Sequence, residues 1–263
     1  MKVVRLAAAC VCLAALSAGQ GVAAEVKLGV GAAALPDYEG SNEYTFIPFP
    51  SFEIEHEGFK LKSSRLGVEA DLIPILGLDA GPIVRYNFGR DSGVDDDVVS
   101  LLPEIGESVE VGGYIAGGLP LNLLGLDSNS ILFARVDVIQ GLDGGHEGLT
   151  ADVATGLITD FSDQFSLITA ATASFMSGGY ADSMFGISAA GSAASGLAAY
   201  DPDGGLKDVG VAFIATYEWT DNWSGTLIGS YKRLVGDAAD SPIVKDRGSP
   251  DQFFAGVSIG YAF

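Results

Sequence analysis

The stretch from Gln252 to Phe263 constrains the fold of this chain more than any other. Phe253, Ala255, Val257, Ile259, Tyr261 and Phe263 alternate with Gln252, Gly256, Ser258, Gly260 and Ala262, and Phe254 is the one interruption. A period of two puts one set on each face of a β-strand. One face is then large and oily, the other small or polar. A soluble sheet buries its oily face against a second layer, whereas the wall of a membrane β-barrel turns it outward to lipid and keeps the small face for a crowded lumen.

The same two faces recur along the chain. Val209, Val211, Phe213, Ala215, Tyr217 and Trp219 oppose Gly210, Ala212, Thr216 and Glu218, and Leu78, Ala80, Val84, Tyr86 and Phe88 oppose Asp79, Gly81, Arg85 and Asn87. Twelve strands are expected, at 26–34, 43–56, 58–65, 67–74, 77–90, 107–118, 130–141, 148–160, 164–176, 207–219, 223–235 and 252–263. Ten are obtained if 58–65 and 67–74 count as one bent segment and an irregular piece. The connections alternate in length: 35–42, 91–106, 177–206 and 236–251 are long or acidic, whereas Glu57, Ile75-Leu76, 161–163 and 220–222 are tight. Long loops outside and short turns in the periplasm are the habit of bacterial barrels, with both termini periplasmic. The expected fold is therefore all-β, an antiparallel transmembrane β-barrel of about 12 strands. Trp219 and Trp223 flank the turn at Asp221-Asn222, as an interfacial aromatic girdle would.

Residues 1–24 have the form of a cleaved signal peptide: Lys2 and Arg5, an apolar run from Leu6 to Leu16, and the small residues Val22-Ala23-Ala24. The run is too short to span a bilayer as a helix. Residues 25–263 then form a single outer-membrane barrel domain with no cysteine, because Cys10 and Cys12 leave with the signal. Removing Lys2 and Arg5 from 14 Lys+Arg leaves 12 against 34 Asp+Glu, a net charge of −22. That balance argues against nucleic acid as a partner. Glycine, at 36 of 263 residues, is about twice its usual share and suits a tightly filled inner wall.

By parity the lumen face carries Lys60, Lys62, Glu69, Asp71, Asp79, Arg85, Glu110, Arg135, Asp137, Asp152, Glu218 and Lys232. In a narrow barrel such groups are expected to pair across the lumen or meet trapped water, because an unpaired buried charge is costly. They line a small pore or they plug the barrel. Catalytic chemistry has little to work with. The two histidines, His56 and His146, fall at opposite ends, and no Ser lies in a G-x-S-x-G or S-x-x-K arrangement. The expectation is a non-enzymatic protein without cofactor or metal. Asp95-Asp96-Asp97 and Asp201-Pro202-Asp203-Gly204 read as solvated acidic loops ahead of hard-cation sites, since neither has EF-hand spacing.

Connection 119–129 breaks the pattern, being long and leucine-rich for a periplasmic turn. Leu119, Leu121, Leu123, Leu124 and Leu126 either present a partner-binding surface there or fold back as a plug.

Three separated motifs carry a family resemblance. They are Pro36-Asp37-Tyr38-Glu39-Gly40-Ser41, the stretch Tyr180 to Gly210 with Phe185-Gly186-Ile187-Ser188 and Ala193-Ala194-Ser195-Gly196-Leu197, and Leu234 to Val244 followed by Gly248 and Gln252. In this order they resemble the MipA/OmpV family, the MltA-interacting proteins of the bacterial outer membrane, over essentially the whole chain after residue 24. Within the last motif Gly236 is expected to turn the strand exit, Asp237 and Asp240 to fold back on backbone N–H groups, and Pro242 to stiffen the return. Residues 186–199 are small and apolar enough to fold against the barrel mouth as a short helix. Tyr261 and Phe263 resemble the C-terminal assembly signal of outer-membrane proteins, which implies engagement of the barrel assembly machinery during insertion into outer-membrane lipid. The family resemblance implies scaffolding between a lytic transglycosylase and a penicillin-binding protein in cell-wall biogenesis. The alternatives are a narrow cation-preferring channel, or an adhesin or antigen acting through 91–106 and 177–206.

Overall fold

Alternation of side chains along short, glycine-bounded segments produces twelve strands. In the computed structural model, which describes residues 24–72, 78–126, 129–142 and 144–263, they are β1 (Glu25–Pro36), β2 (Tyr44–His56), β3 (Phe59–Ser64), β4 (Gly67–Asp71), β5 (Leu78–Asn87), β6 (Ser108–Pro120), β7 (Ser130–Gly141), β8 (Leu149–Ser162), β9 (Phe165–Met176), β10 (Gly205–Glu218), β11 (Trp223–Leu234) and β12 (Asp251–Ala262). Each pairs antiparallel with its sequence neighbours. β1 closes the ring on β12 from Lys27↔Ala262 to Ala34↔Ala255. The count is twelve and not ten: β3 and β4 are distinct partners, with Lys60↔Asp71 and Lys62↔Glu69 in register. The expected signal peptide, except its last residue Ala24, and the connection at Ile75-Leu76 lie outside the described residues.

No helix among the described residues is long and apolar enough to cross a membrane; the strands supply the apolar belt. Val30, Phe46, Val211, Val257 and Ile259 are all more than half exposed on the outer wall. At the end that carries the termini, Trp223 packs edge-on to Tyr261 at 4.9 Å and Tyr261 edge-on to Phe263 at 4.9 Å. At the other end Tyr86–Phe88 and Tyr231–Phe253 make a second aromatic ring, each pair 5.1 Å apart. Two such girdles bound the belt as they do in membrane barrels.

Four short helices close the end away from the termini. α1 (Gly178–Phe185) and α2 (Ala189–Ser195) join β9 to β10, and α3 (Gly236–Asp240) and α4 (Pro242–Lys245) join β11 to β12. Ser177, Ser188 and Ser241 accept the first free N–H groups of α1, α2 and α4. Two buried clusters lie under this cap. One joins Phe185, Tyr180 and Met184 to Leu234, Ala238 and Val244, and the other joins Tyr38, Val99 and Leu102 to Ile187 and Ile243. Ser241 Oγ donates to Phe185 O (2.7 Å) and Arg90 Nη1 to Met184 O (3.0 Å), so loops from both sides grip α1.

Two sequence expectations need correction. Leu119 is not in a turn: β6 runs to Pro120 and Leu119 sits opposite Leu132 on the lipid face, because pairing with β7 outlasts the glycine run that suggested an end. The segment of Asp237 and Asp240 is helical: Asp237 does accept a backbone N–H, that of Asp203 in the neighbouring loop (2.7 Å), whereas Asp240 lies exposed, 3.9 Å from Lys245 Nζ. Gly236 has φ +54 at the strand exit, and Pro242 occupies the first turn of α4, where its missing N–H costs nothing.

Candidate functional site

Inward parity brings the charged residues of β3, β4, β5, β7 and β8 to one level beneath the cap. Arg85 Nη2 donates to Asp137 Oδ2 at 2.6 Å and its Nη1 to Asp152 Oδ2 at 3.3 Å. Arg135 Nε donates to Asp137 Oδ1 (2.7 Å) and Nη2 to Glu69 Oε2 (2.7 Å), while Lys62 Nζ lies 3.1 Å from Glu69 Oε1. The Arg135 guanidinium also covers the Tyr114 ring at 4.2 Å from its centroid. Glu69 is 1% exposed and Asp137 3%, beside Ile83 and Ile139 at 1%. Charges so dry persist only when paired, and each of these carboxylates holds at least two ionic contacts. Lys60 pairs with Glu55 (2.9 Å) nearer the termini, and Asp71 faces Lys60 across the β3–β4 ladder. Asp79 and Glu218 stand exposed at that open end.

A second cluster lies higher, against α1, and parity did not disclose it. A β-bulge between Leu206 and Asp208 places Lys207, which strict alternation assigns to the lipid face, inside the barrel with Asp208. Lys207 Nζ donates to Glu39 Oε1 at 2.7 Å, and Tyr180 Oη donates to Glu39 Oε2 at 2.6 Å. Lys232 Nζ lies 3.7 Å from Asp208 Oδ1. Burial would raise the Glu39 pKa, but the ammonium of Lys207 and the hydroxyl of Tyr180 hold it below the usual carboxylate range. Burial, with the Glu39 charge behind it, drives the Tyr180 phenol well above its ordinary value, so it remains a donor. His146 Nε2 meets Glu110 Oε1 at 2.6 Å, and Glu110 also accepts from Asn87 (2.8 Å). The ring packs edge-on to Tyr180 at 4.5 Å, in space that a side chain at Gly141 would fill. Neither His146 Nδ1 nor Ser108 Oγ has a hydrogen-bond partner among the described residues, so no Ser–His pair forms there.

The cap is tied to the acidic loop by Arg247, whose Nη2 lies 2.8 Å from Asp96 Oδ2. Burial pushes Asp96 upward, but Arg247 and the N–H groups of Val99 and Val98 keep it below its ordinary value. Arg90, buried with little compensating charge, is pulled down to about 10. No cluster of three or more metal-ligating side chains occurs among the described residues.

At the opposite end, a 3-10 turn spans Leu121–Leu124. Leu123 is 72% exposed, Leu124 and Leu126 more than half, and Leu121 is half-buried; they project from the rim instead of folding under it.

The family described as MltA-interacting protein MipA matches residues 28–263. No curated protein matches the chain. Among solved structures, an outer membrane channel from Pseudomonas putida F1 aligns at TM-score 0.46 and 11% identity, over 93% of this chain and 97% of that one. The NanC porin aligns at 0.40 and 9% identity, over 91% and 99%. The translocator domain of the autotransporter NalP from Neisseria meningitidis aligns at 0.36 and 12%, over 94% and 90%. None reaches a TM-score of 0.5, and the fold rests on the chain's own strand pairing.

Proposed function

The chain belongs to the MltA-interacting protein MipA family, and from that premise we propose that it is a non-enzymatic outer-membrane scaffold for murein-modifying enzymes. An apolar belt between two aromatic girdles supports the outer-membrane barrel. The family supports the scaffold, with a lytic transglycosylase and a penicillin-binding synthase as the partners. The termini and the Leu121–Leu124 turn then face the periplasm, and the capped end faces outward.

The observation that carries the reading is the projecting leucine turn. Leu123, Leu124 and Leu126 expose apolar surface at the rim, beyond the end of β6. Clustered exposed leucines of this kind mark an interaction surface. The buried, ion-paired residues at the level of Glu69, Asp137, Ile83 and Ile139 narrow the lumen and disfavour the channel alternative.

A tagged, folded barrel in mild detergent, exposed to periplasmic and membrane extract, is expected to retain a lytic transglycosylase or a penicillin-binding synthase. The triple replacement of Leu123, Leu124 and Leu126 by Ser should abolish retention while the barrel still folds. Retention of neither enzyme, or retention unchanged by the replacement, overturns the scaffold or the assigned surface respectively.

A further inference from the structure

We propose that the barrel wall is open to the membrane beside β2, and that this opening admits a membrane-borne amphiphile with an anionic head group, which Arg65 receives. β2 pairs with β1 from Tyr44 to Glu55 but with β3 only from Glu53 to His56. Just above, Phe52 N–H donates to Ser63 Oγ (3.1 Å), and that hydroxyl donates to Phe52 O (3.3 Å). The Phe52 backbone groups therefore point toward β3. Backbone groups alternate along a strand, so those of residues 50, 48, 46 and 44 point the same way.

No strand stands beside them among the described residues, because β3 ends at Ser64 and the hairpin turns back into β4. Residues 44–50 thus leave ~23 Å of strand edge without a ladder. Two of its four edge-facing positions are Pro48 and Pro50, which have no N–H to leave unpaired. Proline at these sites is how a sheet edge is kept from recruiting another strand, so a small amphiphile fits this opening and a strand from a second copy does not.

The floor of the opening is the β3–β4 tip, where Leu66 O accepts Tyr86 N–H from the far side at 3.0 Å. Arg65 occupies that tip at φ +52, a conformation unusual for a non-glycine residue. Its side chain is 50% exposed while its Nη1 reaches Asp152 Oδ2 at 2.7 Å. The rim is apolar: Phe46 is 79% exposed on one side and Phe88 44% on the other. Behind the rim the connected network holds Lys62, Arg65, Arg85 and Arg135 against Glu69, Asp137 and Asp152. Glu110, directly opposite Arg85 in the β5–β6 ladder, adds a fourth anion beside the four cations, and Arg65 is the cation of this group that stands at the opening. An alkyl chain suits the rim, and a phosphate or carboxylate head suits the half-exposed Arg65 guanidinium, whose contact with Asp152 uses Nη1 alone.

The test uses the full barrel in a non-ionic detergent with two photoreactive probes, a dodecyl phosphate and the matching dodecanol, each carrying a diazirine at its chain end. Dodecyl phosphate is expected to label peptides covering residues 44–52 and 86–90 above the rest of the belt, and dodecanol to label the belt evenly. Arg65→Gln should lower the labelling of those peptides about ten-fold, with β10–β11 unchanged as the internal control, and Arg65→Lys should retain it. Even labelling by both probes, or labelling indifferent to Arg65→Gln, overturns the site. Should Arg65→Gln fail to fold, competition decides: displacement by unlabelled dodecyl phosphate supports the amphiphile, whereas no displacement, or equal displacement by inorganic phosphate, overturns it.

Discussion

Lys207 carries an ammonium group into the closed mouth of the barrel, where its side chain is only 8% exposed and Glu39 is its closest anion at 2.7 Å. Removing one partner from such a pair leaves the other charge stranded. Glu39→Gln is accordingly expected to destabilise the folded barrel by about 3 kcal/mol, read from urea unfolding in detergent. Adding Lys207→Met to that variant should restore much of the loss, since an apolar pair strands nothing. The pH dependence has a definite sign. Glu39 and Asp96 both have folded-state values below their ordinary ones. Their contribution is complete above the unfolded carboxylate range near ~4, and it is lost as pH falls through the still lower folded values. Cap opening, followed by protease cleavage within 178–204, should therefore appear on acidification below about 4 and not on a rise to pH 9. Lys207 was not legible in the sequence, because its parity assigns it to lipid and a single-residue bulge reverses the assignment.

At the scale of elements, α1 seats on the β7–β8 connection where Gly148 leaves no side chain. A Cβ there would collide with the backbone N and Cα of Tyr180. Gly148→Ala should lift α1 from the mouth, and cleavage within 178–204 should become at least about ten-fold faster, equivalent to a local opening easier by about 1.4 kcal/mol. The barrel itself should still migrate as a folded, heat-modifiable species. Ser177→Ala should act more mildly, by about 1 kcal/mol, because Ser177 Oγ accepts N–H groups from both Tyr180 (3.4 Å) and Leu149 (2.9 Å). Strand positions and faces were legible because a period of two is written residue by residue, and the boundaries fall within a few residues of those observed. The cap was legible only as small, weakly charged segments. Its contacts join residues such as Glu39 and Tyr180, 141 positions apart, and no local pattern encodes them. The Leu119 boundary failed for a related reason: glycines at 112, 113, 117 and 118 resemble a strand end, while cross-strand pairing carries the strand to Pro120.

On the scale of the molecule, charge is sorted by location. Seven of the twelve Lys and Arg after residue 24 (Lys27, Lys60, Lys62, Arg85, Arg135, Lys207 and Lys232) lie in strands at inward-facing or bulged positions, and Arg65 reaches inward from the β3–β4 tip. The acidic surplus is left to loops and rims. The lumen is thus held by its own ion pairs, and the cap closes a mouth that these pairs narrow below. Two barriers in series make a definite prediction for planar-bilayer recording. The intact barrel should give no unitary steps above the lipid background, and replacing residues 178–199 by a short Gly/Ser link should leave it silent. The reason is that Glu69, Asp137, Ile83 and Ile139 remain packed one level down. Combining that deletion with Arg135→Ala removes the guanidinium that ties Glu69 to Asp137 and covers Tyr114. Two buried carboxylates then lose a partner and draw in water, and cation-preferring steps should appear. Steps from the helix deletion alone would make the cap the sole barrier and the lumen network incidental to closure.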